Sequence, residues 1–439
     1  MDAFDSLSKR HAQPPGDIPQ RAQPIDGDGD GNGGENGNGG PIPNPNLRIV
    51  GIEATQGTQF FNFNGQGTGT AGDNSLTLVP RKRTVFRVYV DASVRSPAFP
   101  VASSISGMLR VFQVNWPQAP HFQMIGTAPL TPLVAPIPAK PASAIQRANA
   151  LDTLNFRLEP ALSQPGNTAQ IAVSANVFDA AHPNDPAYVS ETQFQYFSFL
   201  PSGVRTMLPI YAVRILYTGT GAPANATAPS ENEVTATLSN SFVQATFPIS
   251  GIDYVPGGMI IREFNGDLMT PASSGTCGAG WNDLLRMLSD MRSASGTSDI
   301  YVGFLATGTP TTPAAGGVIG GCGTIGGGVA AGYVFDPNPA NPIGQRARVT
   351  IAQEIGHAMG RLHAPCPGST ATGIDPSYPG FVTGPAGTIG EVGFNTSTGT
   401  TLPPGPMSAT FDFMSACSPT WVSPYTYSAL YWFENVSAG

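Results

Sequence analysis

The sequence predicts a flexible tail, then an all-β sandwich, then a mixed α+β domain, and three observations support this order. Of the 439 residues, 53 are Gly and 43 are Pro, a composition typical of short strands joined by many turns. Charged residues make up 11% and hydrophobic residues 40%, and the chain is long enough for two buried cores. Runs of β type dominate as far as Pro201, whereas helical spacing of apolar residues appears only after Gly203.

The segment 1–46 is rich in Gly, Pro, Asn and Asp and shows no apolar periodicity. It cannot bury enough surface to offset the entropy of ordering, so we expect a disordered tail or linker. Within it, Asp26, Asp28 and Asp30 alternate with glycine, as at the start of a calcium-binding loop. The twelfth position of that loop is Gly37 instead of the glutamate that would hold the ion, so a calcium site is not expected.

The segment 47–203 is expected to form an antiparallel β-sandwich. Six runs of β-branched and aromatic residues are separated by turns rich in Gly, Pro and Asn. These runs are Leu47–Glu53, Thr84–Asp91, Gly107–Val114, Thr153–Leu158, Ala169–Phe178 and Gln193–Leu200. The segment gathers no titratable side chains, so we do not expect it to carry the chemistry.

The segment 204–439 is expected to mix strands and helices. Apolar runs predict buried strands at Leu208–Tyr217 and Asp299–Leu305. Apolar residues at helical spacing predict helices over Ser230–Phe247, over Trp281–Arg292, from Gln345 to about Leu362, and over Thr426–Val436. The glycine-rich passage that ends near Gly332 lacks the Lys-Ser/Thr ending of a phosphate-binding loop, so a nucleotide site is not expected.

The third predicted helix holds a group of residues that could bind a metal. Gln353 and His357 are four residues apart and share one helix face, with Glu354 beside them. Gly360 can adopt φ > 0 and turn the chain sharply, which allows His363 to return toward the same point. Two imidazoles, a carboxylate and a glycine turn are what a helix-borne zinc site requires.

This stretch resembles the zinc-binding consensus His-Glu-x-x-His-x-x-Gly-x-x-His of the metzincin metallopeptidases, with Gln353 in place of the first histidine. Metzincins also carry a methionine turn beneath the metal, and the segment Phe411–Cys417 resembles that turn, with Met414 as its methionine. The resemblance implies a metzincin-like catalytic fold over residues 204–439.

The resemblance also implies roles for individual residues. His357, His363 and Gln353 would surround Zn²⁺, and Glu354 would take a proton from water during peptide-bond hydrolysis. A neutral amide is a poorer zinc donor than imidazole, so the site could bind zinc weakly, bind another metal or remain empty. Asp375 is the best alternative third ligand.

A peptidase of this kind binds its substrate along the edge of a sheet. The resemblance places that edge strand at Gly326–Tyr333, where a peptide would pair as an added strand. Gly328, Val329 and Ala330 would then contact the substrate backbone.

The start of the β domain shows a looser resemblance. The segments Ile49–Gln56 and Arg81–Val90 resemble Ig-like modules that precede the catalytic domain in bacterial secreted metallopeptidases. This resemblance implies a scaffold or adhesion module and no chemistry.

The four cysteines lie in the second half of the chain and form no Cys-x-x-Cys pair. Of the three possible pairings we favour Cys366–Cys417, which would tie the zinc-helix region to the methionine turn, together with Cys277–Cys322. Buried free thiols are the alternative. Disulfides would indicate maturation outside the reducing cytosol. The first residues have no apolar core typical of a secretory signal, so we expect either a removed signal or another export route.

Composition also bears on the partners. The net charge of −8 and the absence of Lys/Arg clusters argue against nucleic acid and anionic membranes. No apolar run approaches the length of a membrane span. A protein or peptide partner remains, in an extracellular or cell-surface setting, and packing into a larger assembly would also suit the composition.

Two hypotheses about function follow. The first is an extracytoplasmic zinc endopeptidase with a variant metal site. The second is a catalytically inactive pseudopeptidase, in which the same fold serves as a structural or protein-binding module and Gln353 marks the lost activity.

Overall fold

The computed structural model describes residues 42–436, apart from 240–241, 256–258, 271–276, 311–312, 315–316, 370, 382–383 and 406–408. Asp26, Asp28 and Asp30, which resemble the start of a calcium-binding loop, and most of the predicted tail lie outside the described residues. Asn44 and Asn46, which we assigned to the tail, are only 1% exposed. The side-chain amide of Asn46 donates to the backbone oxygens of Ser96 and Phe99. The folded chain therefore begins before the predicted boundary.

The first half of the described chain, residues 42–203, contains two antiparallel sheets. Its strands are β1 (Arg48–Thr55), β2 (Thr84–Asp91), β3 (Ser104–Val114), β4 (Phe122–Met124), β5 (Ile137–Pro138), β6 (Leu154–Leu158), β7 (Gln170–Asp179) and β8 (Gln193–Ser198). One sheet has the order β1-β2-β6, and the other has the order β4-β3-β7-β8 with β5 paired to β3.

The two sheets share one apolar core. Phe86 and Val88 of β2, Leu109 of β3, and Ile171 and Val173 of β7 are fully buried in the same cluster. In β3 and β7 the core residues occupy alternate positions, as expected when one face of a strand points into the core. Each of the six predicted runs corresponds to a long strand, and only the short strands β4 and β5 were not predicted.

The second half, residues 204–436, is a mixed α/β structure. Its strands are β9 (Met207–Tyr217), β10 (Gly251–Tyr254), β11 (Ile260–Phe264), β12 (Ile300–Leu305), β13 (Pro313–Ala314), β14 (Gly317–Val318), β15 (Gly321–Gly323), β16 (Val329–Tyr333), β17 (Gly393–Asn395), β18 (Thr400–Leu402), β19 (Phe411–Asp412) and β20 (Thr420–Trp421). Its helices are α1 (Glu231–Leu238), α2 (Phe242–Thr246), α3 (Ala279–Ser295), α4 (Pro342–Ala358) and α5 (Pro424–Val436).

The main sheet of this half has the order β10-β9-β12-β16-β15, and β11 also pairs with β9. All of its strands are parallel except β15, which runs antiparallel to β16. Our prediction that Gly326–Tyr333 is the edge strand is wrong, because β16 has β12 on one side and β15 on the other. Within the described chain, the edge strand on this side of the sheet is β15, Gly321–Gly323.

Helices cover both faces of the main sheet. Ile210 and Ala212 of β9 pack in one cluster with residues of α1, α2 and α4, whereas Val213 and Ile215 pack in another with residues of α3. This alternation follows from the period of two in a strand. The arrangement places α4, which carries the candidate site, across β15 and β16.

The helix boundaries differ from the predicted ones by two or three residues at several ends, and by more at two places. The predicted helix Ser230–Phe247 is two helices, because Ser239 has extended backbone angles and ends α1. The helix predicted to continue to about Leu362 ends at Ala358. No helix among the described residues is long and apolar enough to cross a membrane.

A buried ionic cluster joins the two halves. The Arg147 guanidinium, in a loop of the first half, bonds to Glu53 of β1 at 2.7 Å and to Glu391 of the second half. Arg87 of β2 pairs with the other oxygen of Glu53 at 3.1 Å. All four side chains are at most 1% exposed. Charged groups are rarely buried unless they are paired, so this cluster fixes the two halves together.

Other contacts cross the same junction. The Trp421 indole nitrogen donates to the Gly57 carbonyl oxygen at 2.7 Å, and the Lys82 ammonium donates to the Gln244 carbonyl oxygen. The described residues, 42–436 with their gaps, accordingly belong to one compact unit. The predicted boundary near residue 203 separates two types of secondary structure inside that unit.

Candidate metal site

Helix α4 begins and ends with well-defined caps. The Asn341 side chain accepts a hydrogen bond from Gly344 N at 3.1 Å, and Pro342 occupies the first turn. At the other end Gly360 has φ +85°, Gly360 N donates to His357 O, and Arg361 N donates to Gly356 O. This pair of bonds is a Schellman motif, which requires a left-handed residue and so favours glycine. The predicted role of Gly360 as a turn is confirmed.

The turn brings the two predicted histidine ligands together. The distance between His357 Nε2 and His363 Nε2 is 3.0 Å. His357 Nδ1 lies 2.7 Å from the Arg361 carbonyl oxygen, and His363 Nδ1 lies 2.7 Å from the Thr372 carbonyl oxygen. A carbonyl oxygen can only accept, so both Nδ1 atoms carry the proton and donate it. With the proton on Nδ1 in both rings, the two Nε2 atoms face each other.

Burial shapes the charge of the site. Desolvation, with repulsion from His363 as a second cause, lowers the pKa of His357 to about 4. This imidazole is therefore neutral at pH 7. Desolvation also raises the pKa of Glu354, which is 8% exposed, to about 8. No hydrogen bond to its carboxylate is found among the described residues.

The edge strand β15 lies directly against α4 at Glu354. A Cβ atom on Gly321 would come within 2.8 Å of Glu354 Cγ, and one on Gly323 within 2.5 Å of the Glu354 carbonyl oxygen. Glycine at these two positions lets the strand approach the helix closely. The Glu354 side chain therefore lies next to β15, an edge strand of the main sheet.

Gln353 points toward the methionine loop. Its side-chain nitrogen lies 3.3 Å from the Met414 carbonyl oxygen and donates to it. Among the described residues no group of three or more His, Cys, Asp or Glu side chains converges in a way that could hold a metal. The candidate donor set is therefore two imidazoles, and the Gln353 amide, the predicted third donor, is bonded to Met414 O.

Asp375, the alternative third ligand that we considered, is bonded to other groups. Its carboxylate pairs with the Arg361 guanidinium at 2.9 Å and accepts a hydrogen bond from the Tyr425 hydroxyl at 2.9 Å. Its other oxygen accepts from Ser377 N. The carboxylate is thus satisfied by these partners, and it joins no group with His357 and His363.

The loop predicted as a methionine turn packs under α4. Met414 is 1% exposed, and a Cβ atom on Gly356 would lie 2.6 Å from its sulfur. Asp412 anchors the loop, because its carboxylate accepts hydrogen bonds from Met414 N at 2.8 Å and from Ser423 N at 3.0 Å. Met414 therefore lies beneath the helix turn that carries His357.

Both predicted disulfides are present, Cys277–Cys322 and Cys366–Cys417. The second joins the loop after His363 to the methionine loop. Backbone contacts reinforce this junction, because Ala364 N donates to Met414 O at 3.0 Å and the Ser415 hydroxyl donates to Pro365 O at 2.9 Å.

The segment predicted to bind substrate lies inside the sheet. Val329 and Ala330 belong to β16, whose backbone is paired on both sides. Gly328 N donates to Ala358 O at 3.1 Å, so this residue is bonded to the end of α4. These residues have no edge to offer an added strand, and the position that we assigned to them belongs to β15.

Two polar residues near the histidines were not predicted. Arg361 supplies the carbonyl oxygen for His357 and the guanidinium for Asp375, and Tyr425 bonds to Asp375 from α5. Arg361 stands between Gly360 and His363 in the motif, and this position was the only sequence signal.

No protein-family model matches the chain, and no match is found among curated proteins.

Proposed function

We propose that the protein is an extracytoplasmic, zinc-dependent endopeptidase of metzincin type with a variant metal site. The observation that carries the proposal is the pair of imidazoles, whose Nε2 atoms are 3.0 Å apart while both Nδ1 atoms donate to backbone carbonyls. A histidine that ligates a metal has this arrangement, because the outer hydrogen bond fixes the tautomer and the ring orientation.

The chemistry of the donor atoms fits zinc. Two nitrogens that are each 2.0–2.1 Å from a tetrahedral zinc ion lie roughly 3.3 Å apart, close to the observed separation. His357 and His363 would hold the ion, and the Gln353 amide oxygen would be the third donor after its side chain leaves Met414. When bound, the ion would supply Lewis acidity toward a peptide carbonyl.

Glu354 would act as the general base. Its burial keeps the pKa of the carboxyl near 8, and a neighbouring positive charge would lower that pKa toward neutrality. A base with a pKa near the working pH can accept a proton from water and later give it to the leaving amine. A substrate that pairs with the edge strand Gly321–Gly323 would pass close to this carboxylate.

Hydrolysis of a peptide library tests the proposal. Wild-type protein with added Zn²⁺ is expected to cleave internal peptide bonds, and Glu354→Gln is expected to lose at least a hundredfold in kcat/KM without a change in thermal stability beyond about 1 kcal/mol. The exposed replacement Glu231→Gln serves as a matched control. Equal cleavage by wild type and Glu354→Gln would rule out the assigned base.

One observation favours a pseudopeptidase as the second candidate. The Gln353 amide nitrogen donates to Met414 O and so serves the fold. In this alternative the site has lost catalysis, and the chain works as a structural or protein-binding module. Zinc binding without peptide cleavage at any pH between 5 and 9 would favour it. The two disulfides support a location outside the cytosol in either case.

A further inference from the structure

A buried ion pair lies behind the two histidines. Arg361 and Asp375 form it at 2.9 Å, with side chains only 12% and 9% exposed. Tyr425 of α5 adds a hydrogen bond to the same carboxylate oxygen at 2.9 Å. Its ring also lies 5.0 Å from the centre of the Arg361 guanidinium, within the range of a cation–π contact.

The ion pair connects the two backbone segments that orient the imidazoles. On one side, Arg361 provides the carbonyl oxygen that accepts from His357 Nδ1. On the other side, the segment 372–375 surrounds His363. Thr372 O accepts from its ring, Gly373 O accepts from its backbone N, and Asp375 N donates to its carbonyl oxygen at 2.8 Å.

Apart from the two-residue bridge at His363 and Ile374, no regular secondary structure joins these segments where the structure describes them. The chain leaves α4 at Ala358 and next enters a named strand only at Gly393. A loop of this length has many conformations, and each added long-range contact removes some of them. A charged pair at this depth has a strongly preferred geometry, because either charge left alone in this setting is unfavourable.

We propose that Arg361, Asp375 and Tyr425 form a positioning triad that sets the distance and the tautomers of His357 and His363. The effect of the triad on metal binding rests on the proposed function. The effect of the triad on the two imidazoles is independent of that function. None of the three residues is assigned to the metal or to the substrate. Asp375, which has the chemistry of a ligand, instead acts through Arg361 and through its own backbone.

The test uses full-length Asp375→Asn and Tyr425→Phe, with Asp283→Asn as the control. Asp283 forms an exposed ion pair with Arg286 at 2.7 Å, far from the site in the sequence and on the surface of α3. The first readout is the tautomer of each histidine in metal-free protein, measured from long-range ¹H–¹⁵N spectra of the imidazoles. The second readout is the affinity for Co²⁺ and the visible spectrum of the Co²⁺ complex.

We expect Nδ1-protonated tautomers for both histidines in wild type and in Asp283→Asn. Asp375→Asn is expected to give mixed tautomers and a 10- to 100-fold weaker affinity for Co²⁺ with an altered spectrum, the range typical of lost outer-shell partners. Tyr425→Phe keeps the ion pair, so we expect the same changes to be smaller, with an affinity for Co²⁺ about threefold weaker than in wild type. If Asp375→Asn does not fold, the Tyr425→Phe variant serves as the test.

Wild-type tautomers and affinity in folded Asp375→Asn, or in Tyr425→Phe if only that variant folds, would overturn the positioning role. If wild type binds no Co²⁺ but the tautomers change on substitution, the triad stands and the proposed metal function fails. If Co²⁺ binds equally well to wild type and Asp375→Asn and the tautomers are also the same in both proteins, the metal function stands and the triad fails.

Discussion

Replacement of Arg147 by methionine should destabilise both halves of the protein together. The Arg147 guanidinium bonds to Glu53, to Glu391 and to the Gln59 carbonyl oxygen. After the replacement Glu53 keeps Arg87 and the Tyr89 hydroxyl, but among the described residues Glu391 retains only the hydrogen bonds from Thr68.

The magnitude follows from the burial of the cluster. Burial opposes ionisation of Glu53, yet the coulombic effect of Arg147 and Arg87 outweighs it and lowers the pKa of this carboxyl. Removing one partner of a buried pair typically costs 3–5 kcal/mol, because a charge is left without compensation. We therefore expect Arg147→Met to reduce the free energy of unfolding by about 4 kcal/mol.

The assay is urea unfolding, followed by far-UV circular dichroism and by tryptophan fluorescence in parallel. Arg157→Met is the control, because its partner Glu159 is 45% exposed and such pairs contribute at most about 1 kcal/mol. Both probes should report one transition in wild type. A loss below 1 kcal/mol for Arg147→Met, or separate transitions for the two probes in wild type, would refute the reasoning.

Two further predictions concern packing and pH. Gly356→Ala should destabilise the protein by about 1–2 kcal/mol, because the new Cβ would lie 2.6 Å from the Met414 sulfur. This loss is expected although alanine favours a helix more than glycine does. An unchanged or higher melting temperature of the variant would contradict this packing. Desolvation, with repulsion from Arg83 second, lowers the pKa of Lys82 to about 7 from 10.5. Between these values the unfolded chain binds a proton that the folded chain lacks, so this lysine makes stability rise with pH. Relative to Lys82→Met, the free energy of unfolding of wild type, measured in urea, should rise by about 2 kcal/mol between pH 7 and pH 9. Parallel pH profiles of the two proteins would contradict the lowered pKa.

The parts of the fold that repeat along the chain could be predicted from sequence. The strands β1, β2, β3, β6, β7 and β8 were predicted because their apolar and aromatic residues recur between turn residues. The approach of His357 and His363 was predicted because a helical period and one glycine turn suffice to place them. The disulfide Cys366–Cys417 was expected because both cysteines adjoin these motifs, and Cys277–Cys322 was expected because it joins the other two cysteines in sequential order.

The parts that depend on contacts between distant residues could not be predicted. Nothing local to Glu53, Arg147 or Glu391 indicates that they meet, since they are separated by 94 and 244 residues. The edge strand was misplaced because a glycine-rich run reveals its β character but not its neighbours. Asp375 was considered as a ligand because the sequence shows a carboxylate at this position but does not show that Arg361 pairs with it.

The most direct test of the metal site is the zinc content of freshly purified protein, measured by elemental analysis beside the variants Gln353→His and His357→Ala. The proposed function predicts close to one zinc per chain in wild type and in Gln353→His, and almost none in His357→Ala. Metal-free wild type together with one zinc in Gln353→His would instead indicate an inactive site that lacks a third ligand. If neither protein takes up zinc, the pairing of His357 with His363 does not form a metal site, and the central claim is wrong.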